Sequence, residues 1–324
     1  MEKILRNDRK VKELTITAYK SHFKKLAEMM GKKYVSAKQV YNHRTVLLSQ
    51  INEMSHSKKV GLMTAMLIAF SPREKCRPIR GYQKSYDIVN ALLKKTNKDY
   101  AIAKSKQEKT GTEQENWVAW TKIVQYANQY EKTTVAQIKL QDGPLNNWDF
   151  NELQRAVILA LYTKLPPRRY DYAGMKVVSA ELYKKMKVLK QERKQNLLVI
   201  KSKTQMFFSY GTESNKAKLP DDETCVVVRV PRDLARLLTF WRQYNQTDYL
   251  LINIKIEPLT KNGLGKQLKL IFQKKFDKNI GVVLLRKIFL SFTFSDDTTY
   301  KLKMDIGRAM NHSVSTQQIH YVKK

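Results

Sequence analysis

The chain's 324 residues carry 61 Lys and Arg against 29 Asp and Glu, a formal net charge of +32, and 42% of them are hydrophobic, enough for a sizeable core and two domains of ordinary size. No apolar run is long enough to span a bilayer, the longest, Val60–Phe70, has no leader-cleavage pattern, and Cys76 and Cys225 stand far apart outside any CxxC, which argues against a membrane protein, a secreted disulfide scaffold and a zinc site. The charge calls for a polyanion, because each phosphate neutralised releases condensed counterions; lysines spread along the whole chain favour nucleic acid over an anionic membrane, with lysine enrichment from an AT-rich genome as the bland alternative.

In the first hundred residues the spacing predicts helices. Val11, Leu14, Tyr19, Phe23, Leu26 and Met30 fall on or near one stripe, with Lys12, Lys20, Lys24 and Lys25 mostly opposite. SAKQVYNHRTVLLSQI and KKVGLMTAMLIAF predict two more, with Ser36 and Ser57 as caps and Ser71-Pro72 ending the second, and GYQKSYDIVNALLKKT predicts a fourth. Such a module with basic outer faces suits gripping a duplex backbone. Lys104–Asn116 is polar and almost free of apolar residues, which reads as a linker.

Beyond it WVAWTKIVQYANQYE resumes helical spacing. In WDFNELQRAVILALYTKL the residues Leu153, Ala156, Val157, Ala160 and Leu161 follow the i, i+3, i+4 rule, with Asn151 as the expected cap and Pro166-Pro167 as the stop. Asn196–Ile200, Gln205–Tyr210 and Cys225–Pro231 are β-branched or aromatic runs between polar turns and predict strands. RDLARLLTFWRQY returns to helix, and helices follow from Thr260 on, LGKQLKLIFQKKF and VVLLRKIFLSF most clearly. The expected fold is mainly α with a small antiparallel β-sheet: a helical DNA-binding domain over 1–103, a linker over 104–116 and an α+β domain over 117–324.

The chain lacks the GxxxxGK[ST] and GxGxxG phosphate loops, the HExxH motif and any acidic cluster suited to a two-metal nuclease. An enzyme here would act on phosphates without ATP and without metal. In LYTKLPPRRYDYAGMKV, two prolines fix the backbone before Arg168, and Asp171 lies three residues on, close enough to orient an arginine. A planar, permanently charged guanidinium suits bidentate phosphate binding; taken alone, a capped turn with a surface ion pair explains the stretch better. In VVLLRKIFLSF, Arg286 stands among apolar residues, where a charge needs a partner, a ligand or a snorkelling path to water. In the tail, His312 precedes Tyr321 by nine positions, and Ser313 through Thr316 read as a helix start. A tyrosine becomes a covalent nucleophile when positive neighbours or a base support it; a lone tyrosine near a terminus is more simply a packing residue.

Taken jointly and in this order, RRYD (Arg168–Asp171), VLLR (Val283–Arg286) and HSVSTQQIHY (His312–Tyr321) resemble the tyrosine recombinase (phage integrase) family, with its R-x-x-[ED] box, H-x-x-R box and a tyrosine nine residues after a [HW] position. IGRAMNHS resembles the family's LGHS phrase, and LPPRRYDYAGM looks like integrases of virophages and related viral mobile elements. The catalytic resemblance runs from Trp117 onward; the first domain fits the core-binding domain by position and character. The resemblance implies that Arg168, Arg286 and His312 hold a scissile phosphate, that Asp171 supports Arg168, and that Tyr321 attacks to give a 3′-phosphotyrosine, without cofactor, ATP or metal.

It further implies double-stranded DNA as partner, a homotetramer in the synaptic complex, no membrane association, and an intracellular, reducing location, the host nucleus or a viral replication site if the source is viral. Arg168 rather than Arg169 fits the first box, because Arg169 would put Tyr172 in the acid position. Two positions depart from the pattern: Val283 replaces the histidine of H-x-x-R, and Lys287 follows the second arginine where histidine is frequent. The family's general-acid lysine lies on a β-hairpin, where Lys203, Lys216 and Lys218 are the candidates and one alignment puts Gly211. A type IB topoisomerase and a catalytically inactive DNA-binding relative are the competing readings.

Overall fold

The apolar stripes of the N-terminal third fold into four helices in the computed structural model, which describes residues 5, 13–71, 78–141, 143–211, 225–295 and 297–323. Val11, Lys12, Pro72, Cys76, Lys216 and Lys218 of the sequence reading lie outside the described residues. The chain divides into two units, residues 1–106 and 107–324. In the first, α1 (Glu13–Met29), α2 (Ala37–Asn52), α3 (His56–Phe70) and α4 (Gln83–Ser105) enclose Ile16, Leu26, Val40, Leu47, Met66 and Phe70. Ser36 caps α2 as expected, its hydroxyl accepting from the Gln39 N–H while the Gln39 side chain accepts from the Ser36 N–H. At α3 the cap position is Ser55, not Ser57, which lies within the helix.

In the second unit the core is built on α7 (Asn147–Thr163), where Leu153 and Ala156 through Tyr162 are all buried. A helix apolar on every side must be central. Helices α6 (Trp120–Lys139), α9 (Arg232–Tyr244) and α10 (Lys261–Phe276) pack on α7. Asn146, not Asn151, caps α7, its side-chain oxygen accepting from the N–H groups of Trp148 and Asp149. Asn151 instead lies inside the helix and donates to the Asn147 carbonyl.

The sheet order is β1 (Lys176–Ser179), β2 (Leu197–Ile200), β3 (Met206–Gly211), β4 (Cys225–Arg229). β2, β3 and β4 pair antiparallel. β1 adds a parallel edge, so the sheet is mixed. A parallel neighbour needs a crossover, and α8 (Ala180–Val188) lies in the connection. Alternation along the strands sends Leu198, Met206, Phe208, Tyr210 and Val226 into the main core, while Val178, Leu197 and Val199 join Met186 of α8 on the other face.

Within the polar stretch read as a linker, α4 runs to Ser105 and α5 (Gly111–Glu115) forms a five-residue helix with a Thr110–Glu113 capping box. The chain ends with α11 (Val282–Thr293), α12 (Tyr300–Met310) and α13 (Val314–His320). Ser313 caps α13, accepting from the Thr316 N–H, and Tyr321 closes it. Among the described residues no helix is long and apolar enough to cross a membrane.

Candidate active site

Where α7 ends, Pro166 and Pro167 forbid its continuation, and the following residue, Arg168, is driven inward to 1% exposure. Its Nε donates to Asp171 Oδ2 at 2.9 Å, Nη1 donates to the Ala309 carbonyl at the end of α12, and its guanidinium carbon lies 3.6 Å from the centroid of the Tyr210 ring. A carboxylate, a carbonyl and an aromatic face thus fix one planar group. Asn196 secures the far side of this box: its amide donates to the Asp171 carbonyl and its oxygen accepts from Gly211 N–H, tying the box to the β2–β3 pair. Burial pushes the Tyr210 phenol well above its ordinary value, so this ring acts as a neutral platform.

Arg286 is fully buried on α11, not snorkelling. Nη2 donates to the Met310 carbonyl at 3.3 Å, and the guanidinium lies over the Tyr321 ring, 4.8 Å from its centroid. Burial is the main cause that pulls Arg286 down to about 10; the neighbouring Arg169 and Arg168 act in the same direction, and Tyr321 opposes them. His312 stacks on Tyr321 with ring centroids 5.0 Å apart and planes 21° from parallel. Seven buried side-chain nitrogen or oxygen atoms lack a hydrogen-bond partner among the described residues, and six of them belong to Arg286, His312 and Gln317. Native proteins leave few such atoms without one, and here six of them gather on three residues beside Tyr321.

The turn between α12 and α13 sets this geometry. Asn311 adopts φ 59°, a left-handed cap that asparagine tolerates, and His312 N–H returns to the Gly307 carbonyl at 3.0 Å. A methyl group at Gly307 would stand 2.7 Å from the His312 carbonyl and against the Gln317 amide. Gly307→Ala is therefore expected to lose about 1–3 kcal/mol of stability despite alanine's better helix propensity, read as a lower urea midpoint with unchanged slope.

Burial and the Arg286, Arg169 and Arg168 charges push the His312 imidazole down to about 3 from an ordinary 6.5. The unfolded chain binds a proton near the ordinary value that the folded chain refuses. The stabilisation is therefore complete above about 6.5 and lost as the pH falls toward about 3. His312→Asn keeps a polar side chain without the titration. Its urea midpoint should fall less than that of the parent chain between neutral and mildly acidic pH.

The fold brings Arg168, Asp171, Arg286, His312 and Tyr321 into one cluster. It places Lys203 elsewhere: in the exposed β2–β3 turn, its carbonyl accepting from Thr239 on α9. From Met206 to Tyr210, the ring against Arg168, the strand rise alone covers roughly 13 Å. Lys216 and Lys218 belong to the β3–β4 connection, which leaves from Gly211 beside Tyr210 and lies outside the described residues. Val283 is 53% exposed on α11. Lys287 is buried and bound to Glu113 of α5, whose other oxygen lies 3.9 Å from Lys323 Nζ. Lys323 also donates to the Glu108 carbonyl, and its N–H reaches Ser291 Oγ at 2.7 Å, so the residues after Tyr321 are anchored on α11 and α5.

Sequence reading passed over three members. Arg169, set aside on spacing, reaches Tyr321 Oη with its Nη2 at 3.4 Å. Sequence spacing places Tyr210 only in a strand, and its alternation into the core is the available signal. Gln317, fully buried, lies one helical turn before Tyr321, and that offset was its only trace.

No family model matches the chain, and no curated protein matches it. Among solved structures it is similar to the crystal structure of XerA recombinase, with 10% identity and a TM-score of 0.39 over 99% of this chain and 92% of that one.

Proposed function

We propose that this protein is a DNA strand transferase of the tyrosine recombinase type, which cuts and rejoins strands at specific sites through a 3′-phosphotyrosine. The observation that carries this reading is the set of unpartnered buried polar atoms of Arg286 and His312 beside the Tyr321 ring, with Arg168 held rigid at the same cluster. A phosphodiester supplies the oxygens such donors lack. Preformed, buried donors stabilise the charge that develops on phosphorus-bound oxygens without having to reorganise. Arg168 and Arg286 would clamp the phosphate, Asp171 would orient Arg168, and neutral His312 would donate one hydrogen bond. Tyr321 would attack, and the energy of the broken phosphodiester would persist in the phosphotyrosine bond, so that rejoining needs no nucleotide.

The net charge of +32 fits a duplex partner, and integration of a mobile element is the finer assignment that the motif wording supports. A tetrameric synapse and the viral source belong to the same reading. With valine at position 283, one proton-transfer group of the family pattern is missing; such a group contributes about 10²–10⁴-fold, so a slow enzyme is expected. Duplexes nicked near a junction of the protein's own element test the proposal, because the short cleaved strand diffuses away and traps the intermediate. A DNA adduct that survives denaturation is the expected product. Absence of any adduct on such junctions and on supercoiled DNA would leave only the inactive DNA-binding relative, and relaxation of arbitrary plasmid by a monomer would favour the topoisomerase.

A further inference from the structure

The two consecutive arginines of the PPRRYD stretch occupy opposite environments. Arg168 is buried and held on three sides. Arg169 is exposed, and no carboxylate pairs with it among the described residues. Its backbone is nevertheless fixed, because Tyr162 of α7 donates its hydroxyl proton to the Arg169 carbonyl at 2.5 Å. From this anchor the guanidinium extends to Tyr321, Nη2 lying 3.4 Å from Oη.

The other charged or titratable groups around Tyr321 do not reach that oxygen. Arg286 of α11 lies over the ring face. His312, at the α12–α13 turn, stacks flat on the ring, and neither of its nitrogens has a partner among the described residues. Arg168 faces Tyr210 and Asp171, and Lys323 is bound to Glu108 and Glu113. Arg169 is thus the donor at the phenolic oxygen among the described residues.

We infer that Arg169 is a catalytic residue of the strand-cleavage reaction proposed above, donating to Tyr321 Oη and stabilising the phenolate as it attacks phosphorus. The inference rests on that cleavage reading. In the step, the phenolic proton passes to solvent, the Oη–P bond forms, the P–O5′ bond breaks, and the leaving 5′ oxygen takes up one proton. Nothing is oxidised or reduced. Arg169 does not accept the proton, because a guanidinium stays charged throughout; it acts as a fixed positive donor at the atom where negative charge appears. An exposed arginine with one long hydrogen bond contributes little to folding, so its loss is readable without collapse of the protein.

Single-turnover adduct formation on a nicked duplex, with duplex affinity measured in parallel, tests the inference. Arg169→Gln should slow the adduct about 100-fold, the scale of one lost charge-stabilising donor, with affinity within about twofold of the parent chain. Arg169→Lys should recover most of the rate, and methylguanidinium at matched ionic strength should accelerate Arg169→Ala.

A rate for Arg169→Gln equal to the parent's overturns the inference. So does a deficit that equals the loss of affinity, which would make Arg169 a DNA phosphate contact. A deficit that neither Arg169→Lys nor methylguanidinium relieves overturns it as well. If the parent chain forms no adduct, the cleavage reading falls and takes the inference with it; if the parent forms one and Arg169→Gln matches it, the inference alone falls.

Discussion

Tyr321→Phe is expected to fold, to bind duplex DNA as the parent chain does, and to form no covalent adduct on a nicked substrate. The ring lies in a small cluster with Leu290, Ile306 and Met310 and is only 6% exposed. Phenylalanine preserves that packing, the stack on His312 and the face offered to Arg286. What it removes is one oxygen, whose hydrogen-bond contact is the 3.4 Å approach of Arg169. The stability change should therefore stay within about 1 kcal/mol.

Chemistry is another matter, since without the oxygen no phosphotyrosine can form and the loss should exceed the detection range of a gel assay. The pairing of the two results is what discriminates. Were Tyr321 only a packing residue near the chain's end, the variant would keep whatever activity the parent has. An adduct formed by Tyr321→Phe at the parent's rate would move the nucleophile to another residue and remove the role given to this cluster.

The candidate cluster was legible in the sequence to the extent that order and spacing encode it. Arg168 and Asp171 are neighbours along the chain, and their hydrogen bond follows from a three-residue offset after a proline stop. Arg286 was legible only as a charge inside VVLLRKIF that needs a partner, a ligand or a snorkelling path to water; which of these applies depends on distant segments, and the structure buries it completely. Contacts that depend on distant segments were not legible. The choice between Arg168 and Arg169 looked exclusive because a spacing rule assigns one arginine to one box. In three dimensions one faces Asp171 and Tyr210 while the other reaches Tyr321, more than a hundred residues away in sequence.

Glu113 sits in a stretch that composition marks as a linker, yet Lys287 and Lys323 converge on it. Local polarity says nothing about cations arriving from the other end of the chain. β1 has no clear sequence signal because four residues, KVVS, carry too short an alternation; its place comes from parallel pairing with β2. The displaced caps, Ser55 for Ser57 and Asn146 for Asn151, show the same limit on a small scale. Each stretch holds two competent cap residues, and spacing along the chain does not choose between them to within a turn.

Arg286→Met is expected to raise the melting temperature while eliminating cleavage, a combination that separates a ligand-binding arginine from a structural one. Three terms set the sign for stability. Burial depresses the guanidinium from 12.5 to about 10, a difference that corresponds to a cost of order 3 kcal/mol for holding the charge in the folded chain. Because the folded value lies below the unfolded one, that cost is fully present at every pH below about 10 and lifts only above it. Against it stand one 3.3 Å hydrogen bond to the Met310 carbonyl and the contact with the Tyr321 ring, together about 1–2 kcal/mol.

Nε and Nη1 recover nothing, since neither has a partner among the described residues. Methionine fills a similar volume and requires no partner, and replacing buried charge by apolar volume commonly gains about 1–4 kcal/mol; a net gain near the lower end is expected, a rise of a few degrees. The same donors that destabilise the free protein would satisfy phosphate oxygens in the complex. Losing them should slow adduct formation by about 10³-fold or more, since a single such donor is worth about 10²–10³, and Arg286→Lys, which cannot present two parallel N–H groups, should recover little. A lower melting temperature for Arg286→Met, with cleavage intact, would assign the arginine to the fold and leave the phosphate without its second clamp.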